Sequence, residues 1–499
     1  MRIAVIGSGV SGISSAKTLT RLGHDVVVFE RSGSIGGVWA VAYPGVHLQN
    51  LSELYSFTDF PWPAPRPDYP SATEIMAYLA AAVRHFGLDV RLDHEVKSLT
   101  RTDGKWLVAL QTRAGATSEI FDAVIVAVGN FTGDKQQLEL PGRDGFAGEV
   151  LTEHEIGDYD RLNGKRVAVI GFGKSAVDMV SFAVGRAGEV HHIFREARWL
   201  IPRKVFGMSS SRMSTNRMST IYGNSWVHPD PMVQKAFAKD PKTGDKGAVV
   251  ESYILRLANG LRGPRLSRGA RQRLALVDPS YPVARQFRGT LAPDNYYSSV
   301  ARGAVLPHRS AVTGFSPSGL LLEDGSEVAC DIAIFSIGYQ RPSMPFLPEP
   351  ARSRITAQAD GAQFYRHIVH PDLPGVFFIG YAHNPLHIPT TEMATLWADA
   401  VIRGDLELPV CDEMAASAGR VAGWKRENTN FETTRSYFVS THVHNYLDVL
   451  LGDIGLNSKR KKNAWGEAMQ SYTAADYEPI IGEYEAARGT KRTPLPFDT

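Results

Sequence analysis

One short plan occurs twice in this chain and limits what it can fold into. Each copy has an apolar run, a glycine cluster, an apolar-periodic stretch and a second apolar run, at residues 3–29 and 167–194. Such an order predicts two strand–helix–strand units. Each copy also closes on a further apolar run that ends in glycine, at Gly129 and at Gly338. The repetition predicts an α/β fold with two Rossmann-like dinucleotide-binding domains.

The first glycine cluster is Gly7-Ser8-Gly9-Val10-Ser11-Gly12, between a predicted strand and a predicted helix. Glycines at this spacing allow a tight turn, a close approach of the backbone to a pyrophosphate, and close packing of the helix on the strand. The helix N-terminus offers free N–H groups and a partial positive charge to the phosphates. Glu30 ends the second strand, where a carboxylate can accept hydrogen bonds from a ribose diol. The cluster therefore predicts a dinucleotide site.

A second glycine pair, in Gly36-Gly37-Val38-Trp39, follows Glu30 by a few residues. Such a pair is common where FAD, and not NAD, is bound. We therefore predict FAD at the first site, with Arg31 and the segment Gly37-Val38-Trp39 among its contacts.

The second cluster, Gly171-Phe172-Gly173-Lys174-Ser175-Ala176, repeats the pattern with alanine in the third glycine position. Arg195, in place of an acid, follows the second strand of this copy, and Arg198 lies nearby. An acid would repel a 2′-phosphate, whereas a guanidinium group can bind it with two hydrogen bonds. This copy therefore predicts NADPH in preference to NADH. A solvated basic edge is the alternative interpretation of these arginines.

The order of the copies indicates that one nucleotide domain interrupts the other. We predict the first part of the FAD domain at 1–157, the NADPH domain at 158–335, and the rest of the FAD domain with C-terminal helices at 336–499. A third apolar run, at 375–380, follows the second copy. The second copy has more residues between its first and its closing glycine than the first copy has. These extra residues predict a helical insertion near 206–285.

Composition narrows the partners and the compartment. A formal net charge of +2 over 499 residues gives no bulk attraction to nucleic acid or to an anionic membrane. Two cysteines, Cys330 and Cys411, cannot form a CxxC redox pair or a cysteine-based zinc site. No apolar run reaches the length of a membrane span. We expect a cytoplasmic enzyme without a metal ion, and we leave a homodimer open.

Two such sites without a CxxC pair resemble the flavin-containing monooxygenases and their Baeyer–Villiger relatives. The similarity extends over nearly the whole chain and is weakest at 207–284. The similar segments are Gly36-Gly37-Val38-Trp39, Gln49-Asn50-Leu51-Ser52, residues 57–63, Ser336-Ile337-Gly338-Tyr339, and the segment with Glu392 and Trp397. We therefore add Gly338 and Tyr339 to the predicted cofactor contacts.

The resemblance implies a mechanism and a substrate class. NADPH would reduce FAD, oxygen would add at flavin carbon 4a, and the resulting peroxide would transfer one oxygen atom to the substrate. Few catalytic side chains are needed, because the cofactor does the chemistry while the protein orients the rings and excludes water. The expected partners are O2 and a small nucleophilic substrate that is oxygenated at nitrogen or sulfur.

Asn50 is the expected catalytic residue. It matches an asparagine of the family that lies against the flavin and NADP⁺, so the resemblance implies that its amide donates a hydrogen bond to the peroxide. An ordinary turn asparagine is the alternative, because asparagine is common in loops.

The linker after the first domain departs from the family signature Phe-x-Gly-x-x-x-His-x-x-x-Tyr. Phe146 and Gly148 match, but Thr152 occupies the histidine position and Ile156 the tyrosine position. His154 lies two residues after Thr152. The branch within the family therefore stays open.

Other functions are compatible with the same two nucleotide sites. A Baeyer–Villiger monooxygenase acting on a ketone needs an arginine upstream of a tyrosine pair. By an ungapped count Gly289 falls on that position, upstream of Tyr296-Tyr297, and a one-residue gap would place Arg288 there instead. An NADPH:acceptor flavin reductase would use the same two nucleotide sites without inserting oxygen, and a nonenzymatic nucleotide sensor would need the sites alone.

Overall fold

The computed structural model describes residues 1–131, 135–218, 243–286, 289–358, 361–428 and 443–499. Its strands are β1 (Arg2–Ile6), β2 (Asp25–Phe29), β3 (Asp89–Arg91), β4 (Glu95–Thr102), β5 (Lys105–Thr112), β6 (Gly115–Phe121), β7 (Ala123–Val126), β8 (Glu149–Leu151), β9 (Arg166–Ile170), β10 (Glu189–Phe194), β11 (Leu200–Ile201), β12 (Lys204–Val205), β13 (Met208–Ser209), β14 (Thr290–Leu291), β15 (Leu306–Arg309), β16 (Val312–Phe315), β17 (Gly319–Leu322), β18 (Glu327–Ala329), β19 (Ile332–Phe335) and β20 (Val376–Phe378). Its helices are α1 (Val10–Arg21), α2 (Ala72–His85), α3 (Lys174–Ala183), α4 (Ser210–Met213), α5 (Thr243–Ala258), α6 (Arg268–Leu276), α7 (Tyr296–Arg302), α8 (Ala351–Ala357), α9 (His387–Arg403), α10 (Cys411–Asn428), α11 (Val443–Asp453), α12 (Ala464–Met469) and α13 (Ile480–Ala487).

The first predicted strand–helix–strand unit forms a parallel sheet of order β20-β7-β1-β2-β3. Strand β1 lies between β2 and β7, with Ile6 opposite both Phe29 and Val126. Its central strands are apolar and buried, as a parallel sheet covered on both faces requires. Strand β20 joins the sheet beside β7, so the chain returns to the first sheet at the predicted run 375–380.

The second unit forms another parallel sheet, of order β15-β10-β9-β19-β8. All of its strands come between β7 and β20 in the chain, which confirms that one dinucleotide-binding domain is inserted into the other. Strand β8, inside the range 1–157 predicted for the first domain, pairs with β19 of the second sheet. The second sheet therefore begins before residue 158, while the predicted domain ranges themselves stay predictions.

Smaller elements surround the two sheets. Antiparallel sheets β4-β5-β6 and β16-β17-β18 lie outside the parallel ones. The predicted insertion at 206–285 contains α4, α5 and α6, and its residues 219–242 are outside the described part of the chain. None of the helices described here combines the length and the apolar character that a bilayer crossing requires.

Helix α1, which starts at the first glycine cluster, is fixed to α9. The hydroxyl oxygens of Ser15 and Thr395 lie 3.1 Å apart. The Lys17 ammonium contacts the carboxylates of Glu392 and Asp59, and the side chains of Lys17 and Glu392 are fully buried. Removing one partner of a buried ion pair commonly costs about 3–5 kcal/mol. This contact therefore holds together two helices whose N-termini meet the same cavity.

Candidate active site

A cavity of about 1820 Å³ lies between the two dinucleotide-binding units. It exceeds the roughly 300–1,000 Å³ of a pocket for one small ligand, so it has room for a large cofactor and a further ligand. The predicted site residues that line it are Gly7, Gly9, Val10, Ser11, Glu30, Arg31, Gly37, Val38, Trp39, Asn50, Gly173, Lys174, Ser175, Gly338 and Tyr339.

The three glycines of the first cluster have different structural roles. Gly7 has a φ of +101°, and a Cβ on Gly12 would lie 1.8 Å from the Gly7 carbonyl oxygen, so the fold itself requires both. Gly9 has a φ of −68°, and a Cβ there would meet only the Cα atom of Gly37, at 3.8 Å. The fold therefore tolerates a side chain at Gly9. The missing Cβ at this position leaves space at the cavity wall that a ligand can occupy.

The residues around Gly9 suit the pyrophosphate of FAD. Gly9 is the N-cap of α1 and provides no side-chain hydrogen bond to the first turn. The first turn, at Val10 and Ser11, lines the cavity. A helix N-terminus without a side-chain cap keeps N–H groups available to an anion.

Glu30 is held in place at the carboxyl end of β2. The backbone N and Oγ of Ser8 each donate to Glu30 Oε2 at 2.9 Å, and those of Ser32 each donate to Oε1 at 2.9 Å. Ser8 is buried and does not line the cavity, so it acts through Glu30. Ser32 was not predicted, although a serine two residues after the acid is the sequence signal that could have indicated it.

The second cluster has the same backbone geometry. Gly171 has a φ of +121°, and a Cβ there would lie 2.4 Å from the Ser336 carbonyl oxygen and 3.5 Å from the Ala176 Cβ. Alanine therefore fits where the first site needs Gly12. His192 donates from Nε2 to the Gly171 carbonyl oxygen at 2.7 Å and accepts at Nδ1 from the Tyr296 hydroxyl at 2.8 Å. Burial lowers the pKa of His192 to about 4, so the neutral ring supports the turn.

The basic residues predicted at the second site have different surroundings. Lys174 pairs with Asp178 at 2.6 Å, and Asp178 also accepts a hydrogen bond from the Tyr43 hydroxyl at 2.9 Å. Arg195 is exposed directly after β10, at the carboxyl edge of the sheet, and Arg198 is half-buried. Neither arginine lines the cavity. Tyr43 belongs to the first domain, so Asp178 joins the two domains beside the second glycine turn.

Asn50 lies in the cavity wall and connects distant parts of the chain. Its Nδ2 donates to the carbonyl oxygen of Pro385, just before α9, and its Oδ1 accepts from the Leu51 amide at 3.0 Å. An asparagine amide carries two N–H donors. One of them is therefore not used by any hydrogen bond of the described residues. Beyond Pro385, the His387 ring lies 3.2 Å from the Ser11 hydroxyl and also lines the cavity.

Thr152 and Ile156, which depart from the family signature, and the nearby His154 have different structural roles. Thr152 bonds with Glu155 through its backbone and hydroxyl, both at 2.8 Å, while Ile156 is buried in the core of the second domain. His154 alone of the three lines the cavity. It donates from Nδ1 to the Val41 carbonyl oxygen and accepts at Nε2 from the Tyr339 hydroxyl at 2.7 Å. Burial lowers the pKa of His154, with help from Lys135, which favours this neutral form.

A buried ion pair lies beside His154 and was not predicted from the sequence. Lys135 contacts Glu153, and its ammonium lies 3.6 Å from the centre of the Tyr339 ring. The second carboxylate oxygen of Glu153 is buried without a hydrogen-bond partner among the described residues. Burial lowers the pKa of Lys135 and raises that of Tyr339. The closing motif Gly338-Tyr339 is thus held by residues of the connection between β7 and β9.

The two glycine turns of this site agree with a match to a known protein family. Residues 1–238 and 283–461 match the family described as FMO-like, flavin-binding monooxygenase-like. The chain belongs to this family. Membership confirms the predicted enzyme class, a flavin-binding monooxygenase, and it supports FAD and NADPH as the cofactors.

Individual relatives point to both branches that the sequence left open. The chain is 27% identical over 541 residues to a probable flavin-containing monooxygenase 1 of Arabidopsis thaliana, covering 97% of each protein. It is 31% identical over 359 residues to a Baeyer-Villiger monooxygenase of Streptomyces coelicolor, covering 69% of this chain and 65% of that protein. The structure of an S-allyl-L-cysteine S-oxygenase from Allium sativum superposes with a TM-score of 0.61 and 20% identity, covering 98% and 93% of the two chains. That similarity shows a shared fold.

Proposed function

We propose that the enzyme uses NADPH, FAD and O2 to oxygenate a small substrate at nitrogen or sulfur. The observation that carries this proposal is that both glycine turns and Asn50 line one cavity. When bound there, FAD supplies the transfer of reducing equivalents from NADPH and of one oxygen atom from O2.

The chain's own residues hold the cofactors and orient the reaction. The turn at Gly9 and the first turn of α1 bind the FAD pyrophosphate, and Glu30 accepts from its ribose. The turn at Gly173 binds the NADPH pyrophosphate, and Arg195 binds the 2′-phosphate. Arg31, Val38, Trp39 and Tyr339 complete the walls. Trp39 is fixed by donating from Nε1 to the Tyr55 hydroxyl at 3.1 Å.

Oxygenation at nitrogen or sulfur suits the site better than Baeyer–Villiger oxidation. Gly289 lines the cavity. By an ungapped count it falls on the position where that chemistry needs a cation, which glycine does not supply, whereas a one-residue gap would put Arg288 there. Tyr296 and Tyr297 are buried in the core of the second domain, where Tyr296 supports His192. Arg288 lies outside the described residues. Against a reductase without oxygen insertion stands Asn50, which places a spare amide donor in the cavity wall.

A substrate panel tests this proposal directly. The FAD-loaded enzyme is given NADPH with matched amines, sulfides and ketones, and NADPH oxidation is compared with the product formed. We expect N-oxide or sulfoxide in proportion to NADPH. Ester formation from ketones alone would support the Baeyer–Villiger alternative, and NADPH oxidation with no oxygenated product would support a reductase. The cytoplasmic location and a homodimer stay predictions.

Replacing Arg195 with alanine should change the choice between NADPH and NADH. A charge-assisted contact to phosphate changes affinity by about ten- to a hundredfold. Arg195→Ala should therefore raise the KM for NADPH by about that factor and leave the KM for NADH nearly unchanged. Arg186→Ala is the matched control. Arg186 is an exposed arginine of the same domain, and it follows the C-terminus of α3, whereas the second glycine turn lies at the N-terminus of that helix. Equal losses for both nucleotides would contradict the 2′-phosphate role.

A further inference from the structure

Helix α5 presents one face to the cavity. Val250, Glu251, Ile254 and Leu255 all line it, and this spacing is that of a single helix face. The helix lies in the stretch 239–282, which the family match leaves out. The wall formed by α5 is therefore a feature of this chain that general membership of the family does not explain.

Glu251 is the acid on this face, and both apolar and polar residues share the cavity wall with it. Met213 and Met218 line the same cavity from the segment before the insertion's undescribed part. The described residues give the Glu251 carboxylate no hydrogen bond and no ion pair. Its side chain is accessible, yet protein encloses it on most sides, and this burial raises its pKa with no contribution from a charge among the described residues. A partly desolvated carboxylate without a partner is costly, and a cationic ligand relieves that cost where a neutral one does not.

We propose that Glu251 binds the ammonium group of the substrate and that the substrate is a thioether carrying that group. This inference rests on the proposed function. A protonated amine has no lone pair to take up oxygen, so the oxygenated atom must be a separate nucleophile, and sulfur stays unprotonated when nitrogen does not. The thioether sulfur gains one oxygen atom as a new S=O bond. The other atom of O2 leaves as water, with two electrons and a proton from NADPH and one proton from solvent.

The test uses two sulfides of equal length, 2-(methylthio)ethylamine and methyl propyl sulfide, which differ by an ammonium in place of a methyl group. Binding to the FAD-loaded enzyme with NADP⁺ is measured by calorimetry. We expect the cationic sulfide to bind about ten- to a hundredfold more tightly. Glu251→Gln should remove that difference while leaving the affinity for methyl propyl sulfide unchanged.

Glu323→Gln is the matched control, because Glu323 is an exposed acid between β17 and β18 that does not line the cavity. It should keep the preference of the unmodified enzyme. Glu251 has no partner to lose among the described residues, so its neutralisation should leave the unfolding temperature unchanged. The unfolding temperature of each variant is measured to check this.

Each outcome bears on one proposal. Equal affinities for the two sulfides, absence of binding by either, or an unchanged preference in Glu251→Gln would overturn the role of Glu251. Charge-selective binding without sulfoxide formation would overturn the oxygenation and leave the Glu251 site standing. Sulfoxide formed equally well from both compounds, by the enzyme and by Glu251→Gln, would overturn the role of Glu251 and leave the proposed oxygenation standing.

Discussion

Gly9→Val should yield a folded protein that is purified largely without FAD. The fold has room for a side chain at Gly9, because its φ is −68° and its added Cβ would meet only the Gly37 Cα atom at 3.8 Å. The bound pyrophosphate would occupy that space. Forcing extra carbon atoms into a packed contact costs typically about 1–3 kcal/mol, which weakens binding by roughly five- to more than a hundredfold. Flavin absorbance per protein after desalting, and titration of the apoprotein with FAD, measure the effect.

Two comparison variants separate cofactor binding from folding. Gly482→Val makes the same change in α13, where an added Cβ meets nothing within 4 Å, and it should retain FAD. Gly12→Ala should reduce the unfolding temperature as well as the FAD content, because its Cβ would lie 1.8 Å from the Gly7 carbonyl oxygen. A Gly9→Val protein with full FAD would show that the pyrophosphate binds elsewhere.

The two parallel sheets could be predicted because their signals are local. Strand, glycine turn and helix follow one another within about 30 residues, and the apolar runs of buried parallel strands are continuous. The interruption of one domain by the other was also predictable, since the run at 375–380 had no place in the second unit. Strand β8 was not, because three residues, Glu149–Leu151, carry too little pattern to indicate which sheet they join.

The site was predictable where a backbone motif defines it and not where side chains from distant segments meet. Glu30 follows from its place at the end of a strand. By contrast, the contact of His154 with Tyr339 joins residues 185 positions apart, and only the fold reveals it. The role of Glu251 depends on which face of α5 meets the cavity. That face is set by packing of a segment on which the family gives no information.

Asn50→Ala should separate NADPH oxidation from product formation. The amide is not needed for reduction of the cofactor, so NADPH consumption should continue at a similar rate. Loss of one hydrogen-bond donor to developing charge in a desolvated site costs on the order of 3 kcal/mol. That corresponds to about a hundredfold change in the partition of activated oxygen between substrate and release. Most of the NADPH consumed should then appear as hydrogen peroxide, measured beside product and NADPH in the same reaction.

The contact of Asn50 with Pro385 requires a control, because alanine also removes this link to the start of α9. Asn259→Ala removes the same kind of contact, a donation from Nδ2 to the Leu200 carbonyl oxygen at 2.8 Å, away from the cavity. It should remain coupled. Asn50→Asp keeps the acceptor for the Leu51 amide but loses the N–H donors, so it should release hydrogen peroxide as Asn50→Ala does. If Asn50→Asp stays coupled while Asn50→Ala does not, Asn50 acts by accepting the hydrogen bond of the Leu51 amide, and its N–H donors give the oxygen no hydrogen bond. If both variants stay coupled, Asn50 has no part in oxygen transfer.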